Sequence, residues 1–488
     1  MTPHPMSDLR LSATLRGTST GLLLMTVLVG GCAVVPPAPP RPAVLQPADL
    51  PPAWGEPAAV SPAARAVEAD WWRAFGSARL VQLVERALSD SADVRIAAER
   101  LSQAALTLRQ TEASLLPSVS LGAGSTLSRS EASGASASER RSSSLSVAAS
   151  YEVDLWGRLA AAQRSGQAQL AGSRFDLETA RLSVSAAVAE GYVQLLGVQA
   201  RRVLARDNLR VAERVLAVVQ ARRRHGTATE LEVSQQATTV AQQQAALLPL
   251  DLQVRQGRSA LAVLLGQPPQ VEVLPAGVGE TETLADLRVP EVAPGLPAQL
   301  LTRRPDLASA EAALAAADAD VDAARAALLP SLSLSTSAGL SSSALLSLAQ
   351  PTRSLALGAT LAQSLFDGGQ RRVQVDISLS QRTVLVETYA QAVRTALKEV
   401  EDGLGQAAQV RRQLVAQQQV VTQAERTLRL AELRYRQGVG DLLTVLEAQR
   451  SLFSAQDAQM VLVQSRVSAA LTLFKALGGG WSATPPAS

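Results

Sequence analysis

The chain has 488 residues, of which 47% are hydrophobic and 18% charged, and its formal net charge is +3. This balance is typical of a folded protein with much apolar surface to bury, and it excludes a disordered chain. The small net charge, with no basic patch interleaved with aromatic residues, argues against nucleic acid as a partner.

The N-terminus has the pattern of an export signal. Arg10 and Arg16 precede the apolar run GLLLMTVLVG, which is too short to cross a bilayer as a mature helix, so residues 1–31 are interpreted as a signal peptide. Cys32 is the only cysteine and follows small residues, an arrangement that resembles the bacterial lipobox. We therefore expect a covalent lipid on Cys32. The alternative is a cysteine that lies by chance near an ordinary cleavage site.

Residues 32–70 are crowded with proline, which extends a chain and prevents helices, so we expect a tether between the lipid and the fold. From Trp71 onwards the pattern changes. Apolar residues at helical spacing predict helices over 78–88 and 93–116, the second of which ends at Pro117.

After Pro117 the apolar period changes from that of a helix to two. Alternating runs begin at Val119 and at Leu145, and the Ser- and Gly-rich segment SRSEASGASASERRSSS between them is predicted to be a polar loop. The pattern predicts a β-hairpin over about 117–155. Each strand is predicted to have about ten residues, the length that a tilted transmembrane strand needs.

The next segment predicts a long helical hairpin. Apolar residues recur every three or four positions from Leu159 to about Arg223, and at a rise of 1.5 Å per residue such a helix is roughly 100 Å long. Gly226 is expected to end it and Thr229 to cap a return helix over 230–265. Residues 71–265 thus form one structural repeat, followed by a Pro- and Gly-rich connector over 266–300.

The same order of elements returns over residues 301–477. It predicts a helix that ends at Pro330, a β-hairpin over about 330–365, a long helix to about Arg436, a break at Gly438 and Gly440, and a return helix to Leu477. A short tail, 478–488, follows. The octapeptides SLLPSVSL and ALLPSLSL, which begin 213 residues apart, mark the same passage from helix to strand in both halves. The sequence therefore predicts two tandem repeats of one unit.

Four strands per chain are too few for a membrane barrel, because single-chain barrels begin at eight and an open sheet leaves its edges unpaired in lipid. Several chains would have to share one barrel. Three chains would supply twelve strands, although the count alone also permits two or four. Leu and Val on one face would suit lipid, whereas Ser, Ala and Gly suit an inner face. The alternative is a soluble sheet on a helical bundle, which shows the same alternation.

Three segments carry a resemblance to a known family: RRPDLASAEAALAAADADVDAARAALLPSLSL, FDGGQR and RYRQGVGDLLTVLEAQRSLFSAQ. Together with the two-copy layout they resemble the outer membrane efflux family typified by TolC and OprM. The lipobox adds a resemblance to its lipoprotein branch, the NodT-type outer membrane factors. The resemblance covers about residues 71–477, and it is the order and spacing of the motifs that are specific.

The resemblance implies a mixed, mostly α fold in which a homotrimer forms a twelve-stranded outer-membrane β-barrel continuous with a periplasmic α-helical barrel. It implies a passive exit duct for drugs or other toxic small molecules, which an inner-membrane pump, often of the RND type, delivers through a periplasmic adaptor. The alternatives are a type I secretion duct, a periplasmic adaptor or a structural lipoprotein. Two hairpins with strand pairs count against an adaptor, which carries one, and against a coiled-coil lipoprotein, which needs sustained heptads.

The resemblance also implies a gate just after the second tip, with Leu443 and Glu447 at the constriction and Thr444 beside them. Leu443 and Glu447 are four residues apart and share a helix face. Three Glu447 side chains around an axis would repel one another, raise one another's pKa and favour cations. The alternative is that Glu447 is an ordinary surface residue.

The first tip, HGTATELEVSQQ, is expected to lie beside the gate, with Leu231 and Gln235 in the places of Leu443 and Glu447. The three arginines 222–224, with Arg223 at their centre, could pair with acids of a neighbouring hairpin or contact an adaptor. The other interpretation is that they are solvated.

Little in the sequence points to catalysis or to a cofactor. His225 is the sole histidine outside the signal peptide, and neither a cluster of metal ligands, a nucleophilic triad nor a phosphate-binding glycine loop is present. The carboxylates of Asp318, Asp320 and Asp322 alternate, so they would spread round a helix and be solvated. We expect no enzyme, no metal and no cofactor apart from the lipid.

Overall fold

The computed structural model describes residues 50–55, 67–131, 137–274 and 282–482. The signal peptide, Cys32 and most of the tether lie outside the described residues. The helices are α1 (Ala78–Asp90), α2 (Ala92–Ala113), α3 (Arg158–Arg224), α4 (Glu230–Leu264), α5 (Leu300–Arg303), α6 (Pro305–Ala326), α7 (Gln370–Arg436) and α8 (Leu442–Ala476). The strands are β1 (Ser118–Ser130), β2 (Ser138–Val153), β3 (Ser331–Ser342) and β4 (Thr352–Ala362).

The helices fall where the sequence patterns predict them, and the two halves present elements of the same kind in the same order. Helices α3 and α7 each have 67 residues, and the return helices α4 and α8 each have 35. Helices α2 and α6 end a few residues before Pro117 and Pro330, because a proline disfavours the helical conformation of the residue that precedes it. None of the described helices holds a stretch that is apolar and long enough to cross a membrane.

The predicted strand length of about ten residues is wrong for the first hairpin. Strand β1 has 13 residues and β2 has 16, whereas β3 and β4 have 12 and 11. Both strands of the first hairpin continue into the Ser-rich segment that the sequence suggested was loop. Serine is tolerated in a strand when a neighbouring strand pairs with its backbone. The Ser-rich composition therefore did not show where the pairing of β1 and β2 ends.

The chain divides into two compact units. The sheet unit contains Val119–Arg158 and Ala324–Val373, and the helical unit contains the segments Val44–Ser118, Leu159–Ala323 and Gln374–Ser488, in so far as they are described.

In the sheet unit the strands lie in the order β1, β2, β3, β4, and both the β2–β3 and the β3–β4 pairs are antiparallel. The register separates two faces. One face carries the cross-strand rows Val153–Leu332–Leu361, Tyr151–Leu334–Ala359, Ala149–Thr336–Leu357 and Val147–Ala338–Leu355. The other carries Glu152–Ser333–Thr360, Ser150–Ser335–Gly358, Ala148–Ser337–Ala356 and Ser146–Gly339–Ser354. The first face is mainly apolar and the second consists mostly of small residues.

The apolar face of the sheet is not covered within the described chain. Leu355 and Leu357 of β4 are 74% and 80% exposed, and Val119 and Leu121 of β1 are exposed to a similar degree. An apolar surface of this extent marks a contact with another apolar phase or another molecule.

The helical unit has its main core around α1, α3, α4 and α8. Trp71 stacks on Phe474, and Phe75 packs against both rings. Tyr192 of α3 is fully buried, and its hydroxyl donates a hydrogen bond of 2.8 Å to Glu282. Burial and the neighbouring carboxylate raise the pKa of Tyr192 above its ordinary value, so the phenol stays neutral.

Two of the three aspartates that the sequence suggested were solvated instead join helices. Asp318 of α6 pairs with Arg382 of α7, whose side chain is buried, and Asp322 pairs with Arg164 of α3 at 3.3 Å. Asp318 and Asp322 are four residues apart and lie on the same side of α6, so this side of one helix reaches both α7 and α3. The prediction of solvation was wrong for these two residues because the partners are distant in sequence.

Arg304 fastens the start of α6 to α7 and α8. Its guanidinium is almost wholly buried and donates to Asp306 and to Glu399, both at 2.7 Å, and to the carbonyl of Ala476 at 3.2 Å. Burial opposes ionisation of Asp306, but the hydrogen bond and positive charge of Arg304 outweigh it and hold the pKa of Asp306 below its ordinary value. The cluster thus ties three helices together through one cation.

We predict that Asp306→Asn destabilises the helical unit by about 1 kcal/mol at neutral pH, because a buried guanidinium loses a charged acceptor that is itself partly exposed. A folded-state pKa below the ordinary 3.8 means that this stability is present above pH 3.8 and is lost as the pH falls through the lowered value. Thermal unfolding followed by circular dichroism at several pH values measures the difference.

The matched control is Asp402→Asn, which removes the acid of an exposed pair with Lys398 on the same helix as Glu399. We expect little change from it. Equal melting temperatures for the Asp306 and Asp402 variants at neutral pH would contradict the role assigned to Asp306.

Candidate functional site: the two hairpin tips

The first tip, residues 222–236, is a tight turn between two capped helices. The amide of Thr227 donates to the carbonyl of Arg222 at 2.9 Å, and Gly226 has a φ of +77°, which closes α3 in the way that a left-handed glycine permits. Thr229 then begins α4, since its hydroxyl accepts from the Glu232 amide at 3.2 Å and its own amide donates to Glu232 at 2.7 Å. The predicted stop at Gly226 and cap at Thr229 are both confirmed.

The second tip, residues 434–449, has the same construction with a different cap. Gly438 has a φ of +78°, and the amide of Val439 donates to the carbonyl of Arg434 at 3.1 Å. Asp441 caps α8, where its carboxylate accepts from the backbone amide of Thr444 at 2.7 Å and from its hydroxyl at 2.9 Å. Both hydrogen bonds lower the pKa of Asp441, and the bond from the backbone amide has the larger effect. The hydroxyl of Thr444 is therefore engaged locally.

A hydrophobic core lies directly beneath the tips. It joins the ends of α3 and α7 to the beginning of α8, and residues of α4 pack against its side. The buried members are Val215, Val219, Val421, Ala424, Leu428, Ala431, Tyr435, Leu442, Val445, Ala448, Leu452, Phe453 and Ala455. This core fixes which face of α8 points away from the hairpins.

The predicted gate residues lie on the opposite face of α8. Leu443 is 58% exposed, and Thr444 and Glu447 are also exposed, whereas Leu442 and Val445 beside them are buried. Single exposed leucines are common on protein surfaces, so it is the face shared with Glu447 that makes Leu443 a candidate contact residue. The structure thus brings Leu443 and Glu447 onto one free face.

The residues predicted at the first tip are also at the surface. Leu231 is 66% exposed and Gln235 is exposed as well. Arg223 forms an ion pair with Glu230 of its own hairpin. That pair holds Arg223 across its own turn, and because both side chains are largely exposed it contributes little to stability.

A contact that the sequence analysis missed joins the two tips. The guanidinium of Arg222 lies over the ring of Tyr435, 4.4 Å from its centroid, and donates to the carbonyl of the same tyrosine. The Tyr435 hydroxyl lies 3.3 Å from a carboxylate oxygen of Glu232 and donates to it. Glu232 thereby serves both the capping box of α4 and the neighbouring hairpin. We call Arg222, Tyr435 and Glu232 the tip latch.

Burial of the side chain raises the pKa of Tyr435, and the negative charge of Glu232 raises it further. The phenol is therefore protonated at neutral pH and able to donate. The only cue in the sequence was an aromatic residue three positions before the tip glycine, in RYRQG.

Within the described ranges, no group of three or more His, Cys, Asp or Glu side chains is placed to hold a metal ion. His225 is exposed in the turn of the first tip. Leu231, Leu443 and Glu447 are therefore the exposed groups of the tips that remain as candidates for contact with another chain.

The sequence model of the family described as outer membrane efflux protein matches residues 83–267 and 296–479. The chain belongs to the outer membrane efflux protein family. Both matched segments include a strand pair and a helical hairpin, so the match covers the sheet unit and the tips.

Relatives of this efflux channel agree with that assignment. The chain is 41% identical over 425 residues to the pyoverdine export outer membrane protein OpmQ of Pseudomonas putida, with 85% of this chain and 89% of the relative covered. It is 42% identical over 421 residues to OpmQ of Pseudomonas aeruginosa, covering 84% and 87%. The chain is therefore an efflux channel of the outer membrane.

A solved structure described as a membrane protein from Pseudomonas aeruginosa has the same fold. It superposes with a TM-score of 0.80 at 29% identity and covers 91% of this chain and 99% of that one.

We predict that Tyr435→Phe loosens both tips, since it removes one hydrogen bond to Glu232 while it leaves the buried ring in place. The expected loss is about 1 kcal/mol, which corresponds to roughly fivefold faster amide exchange over residues 227–233. Hydrogen–deuterium exchange with mass spectrometry measures it.

The control is Tyr389→Phe, which changes another buried tyrosine of α7 far from the tips in sequence. Exchange at the tips should not respond to it. Unchanged exchange in the Tyr435 variant would show that the latch does not hold the hairpins together.

Proposed function

We propose that the chain is the outer-membrane exit duct of a tripartite efflux system and that three copies close into one channel. The observation that carries the proposal is the sheet of four strands, which has two open edges and an uncovered apolar face. Both features are costly in water and in lipid unless other copies and a membrane complete them.

The unpaired backbone at the two edges of the sheet supports the proposal that several copies close into one barrel. Strands β1 and β4 each have one neighbour within the described residues, so the outer edge of each offers unpaired N–H and C=O groups. In hydrocarbon each unpaired group costs several kcal/mol, and only a closed barrel removes all edges. Edge β4 of one copy pairing with β1 of the next closes the sheet, and three copies give the twelve strands that the family resemblance implies.

The two faces of the sheet support its placement in the membrane. The rows that contain Leu332, Leu355 and Leu357 provide an apolar outer surface, and the rows of Ser, Gly and Ala on the other face line a polar interior. Residues that follow the ends of β2 and β4 suit the boundary with the headgroups. Phe366 is 91% exposed there, and the indole of Trp156 donates to the carbonyl of Pro330 at 2.7 Å.

The helical unit supplies the periplasmic part of the duct in this proposal. Two 67-residue helices and two 35-residue return helices per chain follow the two-repeat plan of the sequence, and the ring of three copies would hold twelve such helices. No energy-converting group is needed in such a passive duct. An inner-membrane pump of the RND type, reached through a periplasmic adaptor, would provide the energy.

The gate is proposed at the exposed face of α8. Leu443 and Glu447 lie there one turn apart, so three copies around an axis would form an apolar ring and an acidic ring. Thr444 contributes less than its neighbours in this arrangement, because its hydroxyl already binds the Asp441 cap. Leu231, Gln235 and Arg223 of the first tip are proposed to contact the adaptor or the adjacent hairpin.

For the cargo, we propose small molecules that include pyoverdine-like compounds as well as drugs or other toxic compounds. Support comes from the 41% and 42% identity to two proteins named for pyoverdine export. A lipid on Cys32 is proposed to anchor the N-terminus in the outer membrane, and the intact mass of the mature protein tests it.

The proposed function is tested by expressing the chain in Pseudomonas putida that lacks its OpmQ. We expect detergent-extracted trimers in the outer-membrane fraction and restored pyoverdine export. Correctly inserted trimers that do not restore export would overturn the proposed cargo. A monomer that remains soluble without detergent would overturn the channel itself.

We predict that Glu447→Ala raises the single-channel conductance in planar bilayers and weakens cation preference, since a ring of three carboxylates at the constriction is lost. The matched control is Glu425→Ala, which removes an acid of α7 that pairs with Arg429. Unchanged conductance and selectivity in the Glu447 variant would remove the gate assignment and leave the channel assignment in place.

A further inference from the structure

A pocket lies in the helical unit where residues 289–292 of the connector cross α7 and α8. Its volume is about 360 Å³. The floor is apolar and consists of the buried side chains of Leu404, Ala470 and Leu473. This size and this lining are within the range of sites that bind small molecules.

The connector wall of the pocket is held in place from behind. The amide of Arg288 donates to the carbonyl of Phe75 at 3.0 Å, and Val289 and Val292 pack against the main core. The carbonyl of Gly295 accepts from the indole of Trp54 at 2.8 Å. The wall is therefore formed before any ligand arrives, which lowers the cost of binding.

The rim of the pocket carries three arginines, Arg411 and Arg412 from α7 and Arg466 from α8. Glu291 is the one acidic residue in the lining, and none of the three arginines has an ion-pair partner among the residues that the structure describes. The pocket consequently combines an excess of positive charge with an apolar floor. Guanidinium groups arranged around a concavity favour carboxylate or phosphate oxygens.

We propose that this pocket binds a small organic anion with one or two carboxylates on a short body that carries apolar groups. Each carboxylate would meet the arginine rim, and the apolar groups would cover Leu404, Ala470 and Leu473. A neutral ligand of the same shape would leave the rim unpaired. The proposal does not depend on the gate or on the cargo, since every residue of the pocket lies outside the tips.

Isothermal titration calorimetry of the full-length chain in detergent tests the proposal. The probe is N-acetyl-Ala-Glu, and the matched neutral probe is N-acetyl-Ala-Gln-amide. We expect saturable binding of the acidic dipeptide and at least tenfold weaker binding of the amide. Binding of the acidic probe should weaken as salt rises, because the arginines are at the surface. Equal affinity for the two probes, or no binding of either, would overturn the proposal.

The double variant Arg411→Gln and Arg466→Gln removes one cation from each side of the pocket. Affinity for the acidic dipeptide should fall by about tenfold or more. The control is Arg426→Gln, an exposed arginine of α7 outside the pocket. Unchanged melting temperature and oligomeric state of all variants separate a binding defect from misfolding. An equal loss in the control and the double variant would contradict the assignment.

Two sources can supply such an anion: a free metabolite, or the peptide stems of the cell wall. Sedimentation of the protein with insoluble cell-wall sacculi distinguishes them. If the protein sediments with the sacculi and the double variant does not, the peptide stems are the source of the anion. Dipeptide binding without sedimentation assigns a free anion.

Discussion

Backbone hydrogen bonding at the edges of a four-stranded sheet is the constraint on which the architecture depends. Strands β1 and β4 have neighbours on one side, and the face that carries Leu355 and Leu357 is open. A sheet that is apolar on one face and open at both edges is stable only when its edges are paired and its apolar face leaves water. The outer-membrane location of the family provides the second condition, and the proposed self-association would satisfy the first.

The helical unit keeps its very long helices packed through several separate hydrophobic clusters instead of one continuous core. Small residues allow close approach at the seams. A Cβ on Gly403 of α7 would lie 3.4 Å from Leu473 of α8, and one on Gly191 of α3 would lie 3.2 Å from Leu261 of α4. Buried cations add connections between helices, as Arg304 and Arg382 illustrate. The wall of helices is thus held by contacts spread along its length.

At the tips, strong local structure is combined with a hydrophobic core that joins α3 and α7 to α8. Each turn closes on a left-handed glycine, and each return helix begins at a capped residue, Thr229 or Asp441. The latch adds a cation over the ring of Tyr435 and one hydrogen bond from its hydroxyl. The turns are thus fixed locally, while the core beneath them and the tip latch hold the two hairpins together.

The sequence alone determined the order of the elements, the positions of Gly226, Gly438 and Thr229, and the alternation that separates the faces of the sheet. These features depend on local spacing, capping and backbone preference, which lie within a few residues of one another. The choice of Leu443 and Glu447 came from a family motif. Helical spacing was then enough to predict that the two residues share one face.

Only the tertiary structure decided which distant groups meet. Tyr435 and Glu232 are 203 residues apart, Arg304 and Glu399 are 95 apart, and Asp318 and Arg382 are 64 apart. The tertiary structure also decided the lengths of β1 and β2 and the position of the arginine-rimmed pocket. No local pattern encodes such features, because each depends on how helices and strands that are remote in the chain pack against one another.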